Sequence, residues 1–330
     1  MKQTALPLVP TLSGADLHAL LNLGFDLNDP TRPPIMVADG MGVDSTAMLL
    51  GLHQAGLRPD AILHADTGGE HPETEAYIPE RRRWLAEVGF PELVIVRRKP
   101  MKAGKNGIYT TLEGNCLVNA TLPSLAFGRK ACSQKWKVEP QHRWAQSWAN
   151  AARAWGSRPK GKGSMALRKL WQPAQKVVKL IGYDAGPRDS KRSWNLEDDR
   201  FYRYVYPLRA WGWAREDCVR EILAASVKLP PKSACFFCPS SKTFEIARLV
   251  RDYPALADRI IAIEAKAAPN MREVEGLWRT TVKGIRKGTI ARPGNMTIFI
   301  EQVRADPALL EFHLATAKRF LPMLEASPSG

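Results

Sequence analysis

The chain contains 330 residues, 45% of them hydrophobic, and carries a formal net charge of +15. This size and composition are typical of a folded protein with one large core or two smaller ones, and they argue against overall disorder. No apolar run reaches the roughly 20 residues that a membrane span needs, and the first residues lack the apolar stretch of a signal peptide. We therefore expect a cytoplasmic protein with no membrane partner.

Basic residues are concentrated in four segments of the chain. These segments are Arg81 to Arg83, Val96 to Lys105, Arg158 to Gly163 and Val282 to Arg292. Clustered positive charge favours a polyanionic partner, so the sequence predicts binding to nucleic acid, to a nucleotide, or to both. The alternative is that these segments are solvated loops without a partner.

Hydrophobic periodicity predicts strands that alternate with helices through much of the chain. The predicted strands are Pro34 to Ala38, Ala61 to His64, Leu93 to Val96, Val177 to Gly182 and Tyr202 to Tyr206. The predicted helices are a short one capped by Ser13, Asp44 to Ala55, Pro72 to Val88, Val138 to Trp155 and Arg215 to Ala225. Because strands that alternate with helices pair in parallel, the predicted fold class is α/β with a doubly wound parallel sheet.

A glycine-containing loop follows the first predicted strand. Gly40, Gly42 and Ser45 approach the G-x-G-x-x-G/A fingerprint of dinucleotide-binding loops. Such a loop would place small or apolar residues after its second glycine, whereas Asp44, Ser45 and Thr46 stand here. A Walker loop is excluded because no Gly-Lys-Ser/Thr closes the turn. Hydroxyls and a carboxylate at a helix N-terminus can bind phosphate oxygens, cap the helix, or hold a hydrated cation.

The same loop resembles the PP-loop of the ATP pyrophosphatases, S-G-G-x-D-S. The matching positions are Gly40, Met41, Gly42, Val43, Asp44 and Ser45. Gly40 replaces the serine of the motif and Met41 replaces its first glycine, so one hydroxyl contact is lost. The backbone amides of the loop would then contribute more to phosphate binding.

Three later segments resemble motifs of the phosphoadenosine-phosphosulfate (PAPS) reductase-like branch of that family. A D-T-G-x-x-x-P-E-T motif is matched by Asp66, Thr67, Gly68, Pro72, Glu73 and Thr74. A C-S/T-x-x-x-K-x-x-P motif is matched by Cys132, Ser133, Lys137 and Pro140. A G-x-x-x-x-E-S-x-R motif is matched by Ser190 and Arg192, with Asp189 in place of its glutamate, and Y-P-L-x-x-W follows from Tyr206. The motifs stand in family order, which predicts a PAPS reductase-like, PP-loop protein.

This resemblance implies an adenine nucleotide alpha-hydrolase-like fold, in which a five-stranded parallel sheet binds ATP or a related nucleotide at its C-terminal edge. It implies that Asp44 or Asp66 helps to hold Mg²⁺. The residues implied to contact the nucleotide are Gly40, Met41, Gly42, Asp44, Ser45, Thr46, Asp66, Thr67, Gly68 and Arg188. Lys137 and Arg192 would place positive charge against phosphate or sulfate oxygens. With Asp44, these two are the predicted catalytic residues.

The expected organisation of the chain has three parts. We expect a helical extension over residues 1–33, a PP-loop nucleotide-binding α/β domain over residues 34–230, and a mostly helical region over residues 231–330 that contains a C-x-x-C motif.

Five cysteines are present, and their odd number argues against a disulfide framework. Cys235 and Cys238 form a C-x-x-C pair, a turn that brings two sulfurs to one side for a metal, a cluster or a redox dithiol. Cys132, inside a family motif, can join this pair as a metal ligand. Cys116 is either a fourth ligand or a buried packing residue, and Cys218 is predicted to belong to the core.

Three explanations remain open for these cysteines. An iron–sulfur cluster suits ligation by thiolates alone, and relatives that thiolate tRNA or assemble DNA phosphorothioate use such clusters. With three protein ligands, one iron would stay open for an exogenous sulfur. Zinc would need a fourth ligand such as Cys116. A disulfide or dithiol is the third explanation.

The preferred function is ATP-dependent activation of a nucleic acid (DNA or tRNA) or a nucleobase-like substrate, with AMP and pyrophosphate as products. Sulfur transfer, with a sulfur donor protein as a further partner, or another nucleotide modification would follow. One alternative is a catalytically degenerate partner that only binds nucleic acid. Another is a sulfonucleotide reductase, although no cysteine follows Cys238 to supply that enzyme's E-C-G-x-H motif, and Ser133 stands where cluster-bearing reductases carry a second cysteine.

Overall fold

The fold is described from a computed structural model. It describes residues 12–99, 107–123, 125–126, 129–130, 132–157, 170–187, 189, 197–283 and 290–320. No helix in these ranges is both long and apolar enough to cross a membrane.

A five-stranded parallel sheet is the central element, and its strands occur in the order β3-β2-β1-β6-β7. These strands are β1 (Ile35–Ala38), β2 (Ala61–Asp66), β3 (Leu93–Arg97), β6 (Val177–Ile181) and β7 (Tyr202–Val205). A separate antiparallel pair consists of β4 (Leu125–Ala126) and β5 (Arg129–Lys130). The prediction of an α/β fold with a parallel five-stranded sheet is confirmed.

Helices connect and follow these strands. Before β6 they are α1 (Gly14–Leu21), α2 (Val43–Gln54), α3 (Pro72–Glu87), α4 (Leu112–Val118), a π-helical turn (Ser133–Val138), α5 (Glu139–Ala145) and α6 (Ala149–Trp155). After β7 they are α7 (Pro207–Ala210), α8 (Arg215–Ala224), α9 (Thr243–Asp252), α10 (Pro254–Ala267), a 3₁₀ turn (Ala268–Asn270), α11 (Met296–Ala305) and α12 (Pro307–Phe320). Ser13 caps α1 as predicted, because its hydroxyl accepts the N–H of Asp16 while the Asp16 carboxylate accepts the N–H of Ser13.

One predicted element is wrong. The single Trp-rich helix expected over 138–155 is instead the end of the π-helical turn followed by two short helices, α5 and α6. The break falls at 146–148, where Trp148 has an extended backbone with φ −80° and ψ 124°. Ser147 precedes it, and serine is a weak helix former because its hydroxyl competes for backbone hydrogen bonds.

The chain divides into two compact units that each draw on separate stretches of sequence. The first unit comprises Met1–His64, Tyr77–Val94 and Ala145–Pro231, and the second comprises Ala65–Ala76, Ile95–Trp144 and Lys232–Gly330. One boundary between these units lies between Pro231 and Lys232. The expected three-part organisation of the chain stays a prediction.

The second unit has a core of aromatic and aliphatic side chains from α9, α10 and α11 and from the C-x-x-C segment. Within that core, the carboxylate of Glu264 is only 2% exposed. It accepts the backbone N–H groups of Leu277 (2.6 Å), Met296 (2.9 Å) and Thr297 (2.7 Å). A buried carboxylate that is so fully hydrogen-bonded ties α10 to the N-terminus of α11.

The first unit buries a lysine in its sheet. Lys179 of β6 is 3% exposed, and its ammonium lies 5.2 Å from the ring centroid of Tyr202. Burial lowers the pKa of Lys179 to about 8, against the opposing charge of Asp199. In the unfolded chain the pKa of a lysine is about 10.4, so between these values the unfolded state binds more protons and stability rises with pH.

Replacing Lys179 with methionine should therefore stabilise the protein at pH 7, because the penalty for charging a buried ammonium is then removed. We expect a gain on the order of 1 to 3 kcal/mol in the free energy of unfolding. The rise in stability between pH 8 and pH 10 should also disappear. Urea denaturation at pH 7 and at pH 9.5 measures both effects. The matched control is Lys176→Met, at an exposed lysine beside Asp198; equal pH dependence in both variants and the wild type would contradict the prediction.

Candidate nucleotide and cysteine sites

The loop between β1 and α2 turns sharply at Met41. This residue is fully buried and has φ 60°, in the left-handed region that normally favours glycine. Its backbone N–H donates to Oδ1 of Asp39 at 2.7 Å. The substitution of the motif's glycine by Met41 therefore keeps a glycine-like backbone, held by the side chain of Asp39.

The predicted phosphate-binding hydroxyls lie in the first turn of α2. Ser45 Oγ accepts the N–H of Gly42 at 3.2 Å and donates to the Gly42 carbonyl at 3.0 Å. Thr46 Oγ1 donates to the same carbonyl at 2.9 Å. Both hydroxyls thus stabilise the loop itself, and the N–H groups at the start of α2 are those that a helix leaves for an anion.

Gly182, at the end of β6, packs closely against this helix start. A Cβ at Gly182 would lie 3.1 Å from the N of Ser45 and 3.2 Å from the carbonyl carbon of Asp44. A larger residue would therefore push the loop and β6 apart. Sequence reasoning assigned Gly182 no role.

Three carboxylates come together beside the loop. Asp44, Asp184 and Asp189 each place an oxygen within 4.8 Å of the others. Arg215 donates to Asp44 Oδ1 at 2.6 Å. Carboxylate oxygens are the ligands that Mg²⁺ prefers, so the donor set suits the ion that the sequence predicted near Asp44.

Electrostatics of this set favour a bound cation. Burial raises the pKa of Asp44 above its usual value, and Asp184 and Asp189 add to the rise, while Arg215 opposes it. The pKa of Asp184 is also raised, again mainly by burial. A divalent cation would reverse this repulsion among the carboxylates. Sequence reasoning noted Asp189 but missed Asp184, although a carboxylate just after a parallel strand is a usable signal.

Two tyrosines stack at the C-terminal edge of the sheet, where one follows β6 and the other follows β7. The rings of Tyr183 and Tyr206 are 5.8 Å apart between centroids and only 6° from parallel. The guanidinium of Arg209 lies 6.0 Å from the Tyr206 ring. Aromatic rings next to a cation form a surface on which a nucleobase can stack.

The D-T-G segment belongs to the second unit and forms a tight turn. Asp66 Oδ1 accepts the N–H of Gly68 at 2.7 Å, and Asp66 Oδ2 accepts the Nε–H of Arg97 at 2.7 Å. The Nη2 atom of Arg97 also lies 2.7 Å from Asp66 Oδ2, as an ion pair. Gly68 has φ 70°, and a Cβ there would lie 2.4 Å from the side chain of Thr111. The glycine is required by the turn, and the predicted role of Asp66 and Gly68 in nucleotide binding stays a prediction.

Thr67 links this turn to the C-x-x-C motif. Its hydroxyl lies 3.1 Å from Cys235 Sγ and donates to Glu70 Oε1 at 3.1 Å. Glu70 also pairs with Cys235 as an isolated β-bridge. The carboxylate of Glu70 is buried, and its Oε2 has no hydrogen-bond partner among the described residues.

Lys137 lies among the cysteines of the second unit. Burial lowers the pKa of Lys137, but the charges of Glu70, Cys235, Cys238 and Cys132 together outweigh it and raise the pKa above its usual value. The ammonium therefore stays protonated at neutral pH. All three predicted cluster ligands thus lie within electrostatic range of one lysine, on the π-helical turn that follows Cys132. Such turns are frequent at functional sites.

Comparison with known proteins gives only distant matches. No protein-family model matches the chain, and no curated protein matches it. A structure of phosphoadenylyl-sulfate (PAPS) reductase from Candida auris, in a phosphate complex, is 14% identical over 67% of this chain and 90% of its own, with a TM-score of 0.33. The U34-tRNA thiolase NcsA from Methanococcus maripaludis, with its 4Fe-4S cluster, is 15% identical over 84% of both chains, with a TM-score of 0.38. Similarities this low say nothing about ligands or reaction.

The chain's own features say more about its fold than these distant matches do. A PP-loop-like turn follows β1, the D-T-G turn follows β2, and the sheet is five-stranded and parallel. This fold is the one that the motif resemblance to PAPS reductase-like, PP-loop proteins implies.

The positions of the cysteine sulfurs bear on the choice between zinc and a cluster. Thiolates around one zinc lie about 3.8 Å apart, given tetrahedral geometry and Zn–S bonds of about 2.3 Å. Among the described residues, one group of three His, Cys, Asp or Glu side chains places its ligand atoms within 4.8 Å of one another, and it consists of Asp44, Asp184 and Asp189. No three sulfurs of the five cysteines, which all lie in the described ranges, are within 4.8 Å of one another, and the choice between zinc and a cluster stays open. None of the five cysteines forms a disulfide.

Cys116 and Cys218 are both fully buried. Burial, with Glu113 and Cys132 as lesser causes, raises the pKa of Cys116 to about 12, and Cys116 packs in the core of the second unit. Its burial in that core fits the packing role of Cys116, and the ligand role stays a prediction. Cys218 lies on α8 of the first unit, where the sequence placed it in the core.

Several predicted residues lie outside the described part of the chain. They are Arg188, Ser190 and Arg192. Their predicted contacts with phosphate or sulfate stay predictions.

The basic segments have mixed environments. Arg81 is 1% exposed, so its predicted place in a surface basic segment is wrong, whereas Arg82 and Arg83 are exposed. Arg97 pairs with Asp66, and Arg98 donates to Glu139 at 2.8 Å. The other basic segments lie wholly or partly outside the described residues.

Proposed function

We propose that this PP-loop protein uses ATP to activate a nucleic acid or nucleobase-like substrate, with release of pyrophosphate and formation of AMP. The observation that carries the proposal is the meeting of Asp44, Asp184 and Asp189 beside the loop at the start of α2. A helix N-terminus that binds phosphate, with carboxylates that hold Mg²⁺ beside it, is the combination that a nucleotide triphosphate needs.

In the proposed reaction, an oxygen of the substrate attacks the α-phosphorus of ATP. The bond from that phosphorus to the bridging oxygen of the pyrophosphate breaks, and the pyrophosphate leaves with the electron pair. The loop N–H groups would stabilise the charge that develops on the leaving group. Mg²⁺, held by Asp44, Asp184 and Asp189, would supply further charge neutralisation. The adenylated atom is then open to a nucleophile, and AMP departs in that second step.

Sulfur is the nucleophile that the cysteines favour. Cys132, Cys235 and Cys238 would hold an iron–sulfur cluster through their thiolates, and such a cluster supplies a place where an exogenous sulfur can bind. The protonated Lys137 would offset the negative charge that three thiolates bring together. A sulfur donor protein would be needed to supply the sulfur.

Nucleic acid is the proposed acceptor because of charge and aromatic surface. The net charge of +15 favours a polyanion. The stacked rings of Tyr183 and Tyr206, at the same edge of the sheet as the three carboxylates, offer a surface for a nucleobase. DNA and tRNA both fit these features.

Binding and turnover measurements test the proposal. Calorimetry with a non-hydrolysable ATP analogue and Mg²⁺ should show binding, and pyrophosphate should be released when ATP is supplied with total tRNA or with duplex DNA. Lack of analogue binding by the anaerobically purified wild type would refute the proposal.

Two alternatives give different results in these assays. A catalytically degenerate partner would bind nucleic acid with strong salt dependence, ignore ATP and release no pyrophosphate. A sulfonucleotide reductase would release sulfite in a thioredoxin-dependent assay. Neither result is expected.

A further inference from the structure

We propose that a buried ion pair between Asp39 and Arg81 holds the phosphate loop in its binding conformation, so that Arg81 is a positioning residue for the nucleotide phosphates. The inference rests on the proposed function in one respect, since it takes the loop to be a phosphate site. The two residues have no place in the PP-loop motif, and all of the contacts involved lie within the first unit.

Arg81 projects from α3 into the interior beneath the loop. Its side chain is 1% exposed, and its Nε lies 3.2 Å from Oδ2 of Asp39, which is itself fully buried. The guanidinium also donates to Thr46 Oγ1. The ring centroids of Tyr77 and Trp84 lie 5.4 and 5.9 Å from the guanidinium carbon, so aromatic faces shield the pair from water.

Through these partners, one guanidinium reaches both ends of the loop. Asp39 stands immediately before the loop and accepts the N–H of Met41 at 2.7 Å. Thr46 stands in the first turn of α2 and donates to the Gly42 carbonyl at 2.9 Å. Arg81 therefore fixes the acceptor that orients Met41 and the hydroxyl that orients Gly42.

The contacts of Arg81 compensate for the replacement of the motif's first glycine by Met41. A left-handed backbone at Met41 is unfavourable for a residue with a side chain. The hydrogen bond from its N–H to Asp39 Oδ1 favours that conformation, and the guanidinium of Arg81 lies 3.2 Å from the other carboxylate oxygen of Asp39. The loop thus depends on side-chain contacts from another helix for a shape that glycine would adopt alone.

Charge gives the pair a second role. A buried carboxylate just before a phosphate loop would repel the phosphates, because charges interact strongly at low dielectric. The guanidinium of Arg81 cancels the charge of Asp39 at 3.2 Å. Loss of Arg81 alone would therefore leave an unpaired buried charge next to the site, whereas loss of both charges would not.

The test compares Arg81→Met and Arg81→Lys with Arg82→Met, an exposed neighbour that removes the same charge from the same helix. We expect Arg81→Met to weaken binding of an ATP analogue with Mg²⁺ by about tenfold or more, as misplaced binding groups do. Arg82→Met should change the Kd less than twofold. Hydrogen exchange of the Met41 and Gly42 amides without nucleotide should accelerate in Arg81→Met and be unchanged in Arg82→Met.

A double variant separates positioning from folding. Asp39→Asn combined with Arg81→Met should weaken binding less than Arg81→Met alone, because no unpaired charge remains. If Arg81→Met does not fold, Arg81→Lys and the double variant supply the same comparison. A merely structural role would lower the melting temperature without changing the Kd.

The inference is overturned if the Arg81 variants bind within twofold of the wild type with unchanged loop exchange, or if Arg82→Met weakens binding equally. Failure of the proposed function looks different. The wild type itself would then show no analogue binding, while the loop amides would still report whether Arg81 holds the loop.

Discussion

Replacing Asp44 with asparagine should reduce ATP-dependent pyrophosphate release by about a hundredfold or more, because the proposed Mg²⁺ site loses one carboxylate ligand. Asp184→Asn should act in the same direction, since both carboxylates belong to the set within 4.8 Å. Pyrophosphate release at saturating substrate and the Mg²⁺ concentration for half-maximal rate are the quantities to measure. The latter should rise in both variants.

The pH dependence of Mg²⁺ binding gives a second readout for the same site. Burial raises the pKa of Asp44 and of Asp184, so both carboxyls take up a proton at a higher pH than usual. Because a cation binds the deprotonated form, Mg²⁺ affinity should fall as pH drops through that raised range and recover as pH rises.

The control for both measurements is Glu87→Gln, which removes one exposed carboxylate at the end of α3 in the first unit. Wild-type rates are expected for it. Asp44→Asn and Asp184→Asn variants that retain the wild-type rate and Mg²⁺ dependence would show that the three carboxylates do not serve the reaction.

Replacing Cys235 with serine should remove the visible absorption, the iron and the acid-labile sulfide of anaerobically purified protein. Cys132→Ser and Cys238→Ser should do the same, because each removes one of the three proposed thiolate ligands. Ultraviolet-visible spectra with iron, sulfide and zinc analysis measure the effect. Activity that depends on sulfur should fall with the cluster, while binding of an ATP analogue should persist.

Two other cysteines serve as matched controls. Cys218→Ser alters a fully buried thiol in the first unit and should keep the spectrum, and Cys116→Ser should keep it if that residue only packs in the core. Colourless wild-type protein with stoichiometric zinc would instead support the zinc alternative, and loss of the spectrum in Cys116→Ser would make Cys116 a ligand.

Local signals in the sequence were sufficient where neighbouring residues decide the structure. The helix start at Ser13 is an example, because the capping residues stand three positions apart and act within one turn. The strands were located by apolar runs, and parallel pairing followed from the alternation of strands with helices. Asp44 was singled out because its place at a helix start is a local property.

Local sequence patterns did not predict the contacts that form when distant segments pack together. Asp184 joins Asp44 because β6 pairs with β1, which brings together residues 140 positions apart in the chain. Arg81 looked like part of a surface basic run, but the rotation of α3 turns it inward to Asp39 while Arg82 and Arg83 face outward. Local periodicity does not predict which strand will pair with a given strand. It also does not predict which side of a polar helix will be buried.

By itself, therefore, the sequence determined the α/β class, the loop that begins at Gly40 and the cysteines available for a cluster, since these depend on residue type and short-range order. The tertiary structure alone decided that Asp184 completes the acidic set, that Arg81 pairs with Asp39 under the loop, and that Lys137 lies near the cysteines. The reason is physical: burial and charge pairing depend on which distant segments pack together, and that is a property of the folded chain.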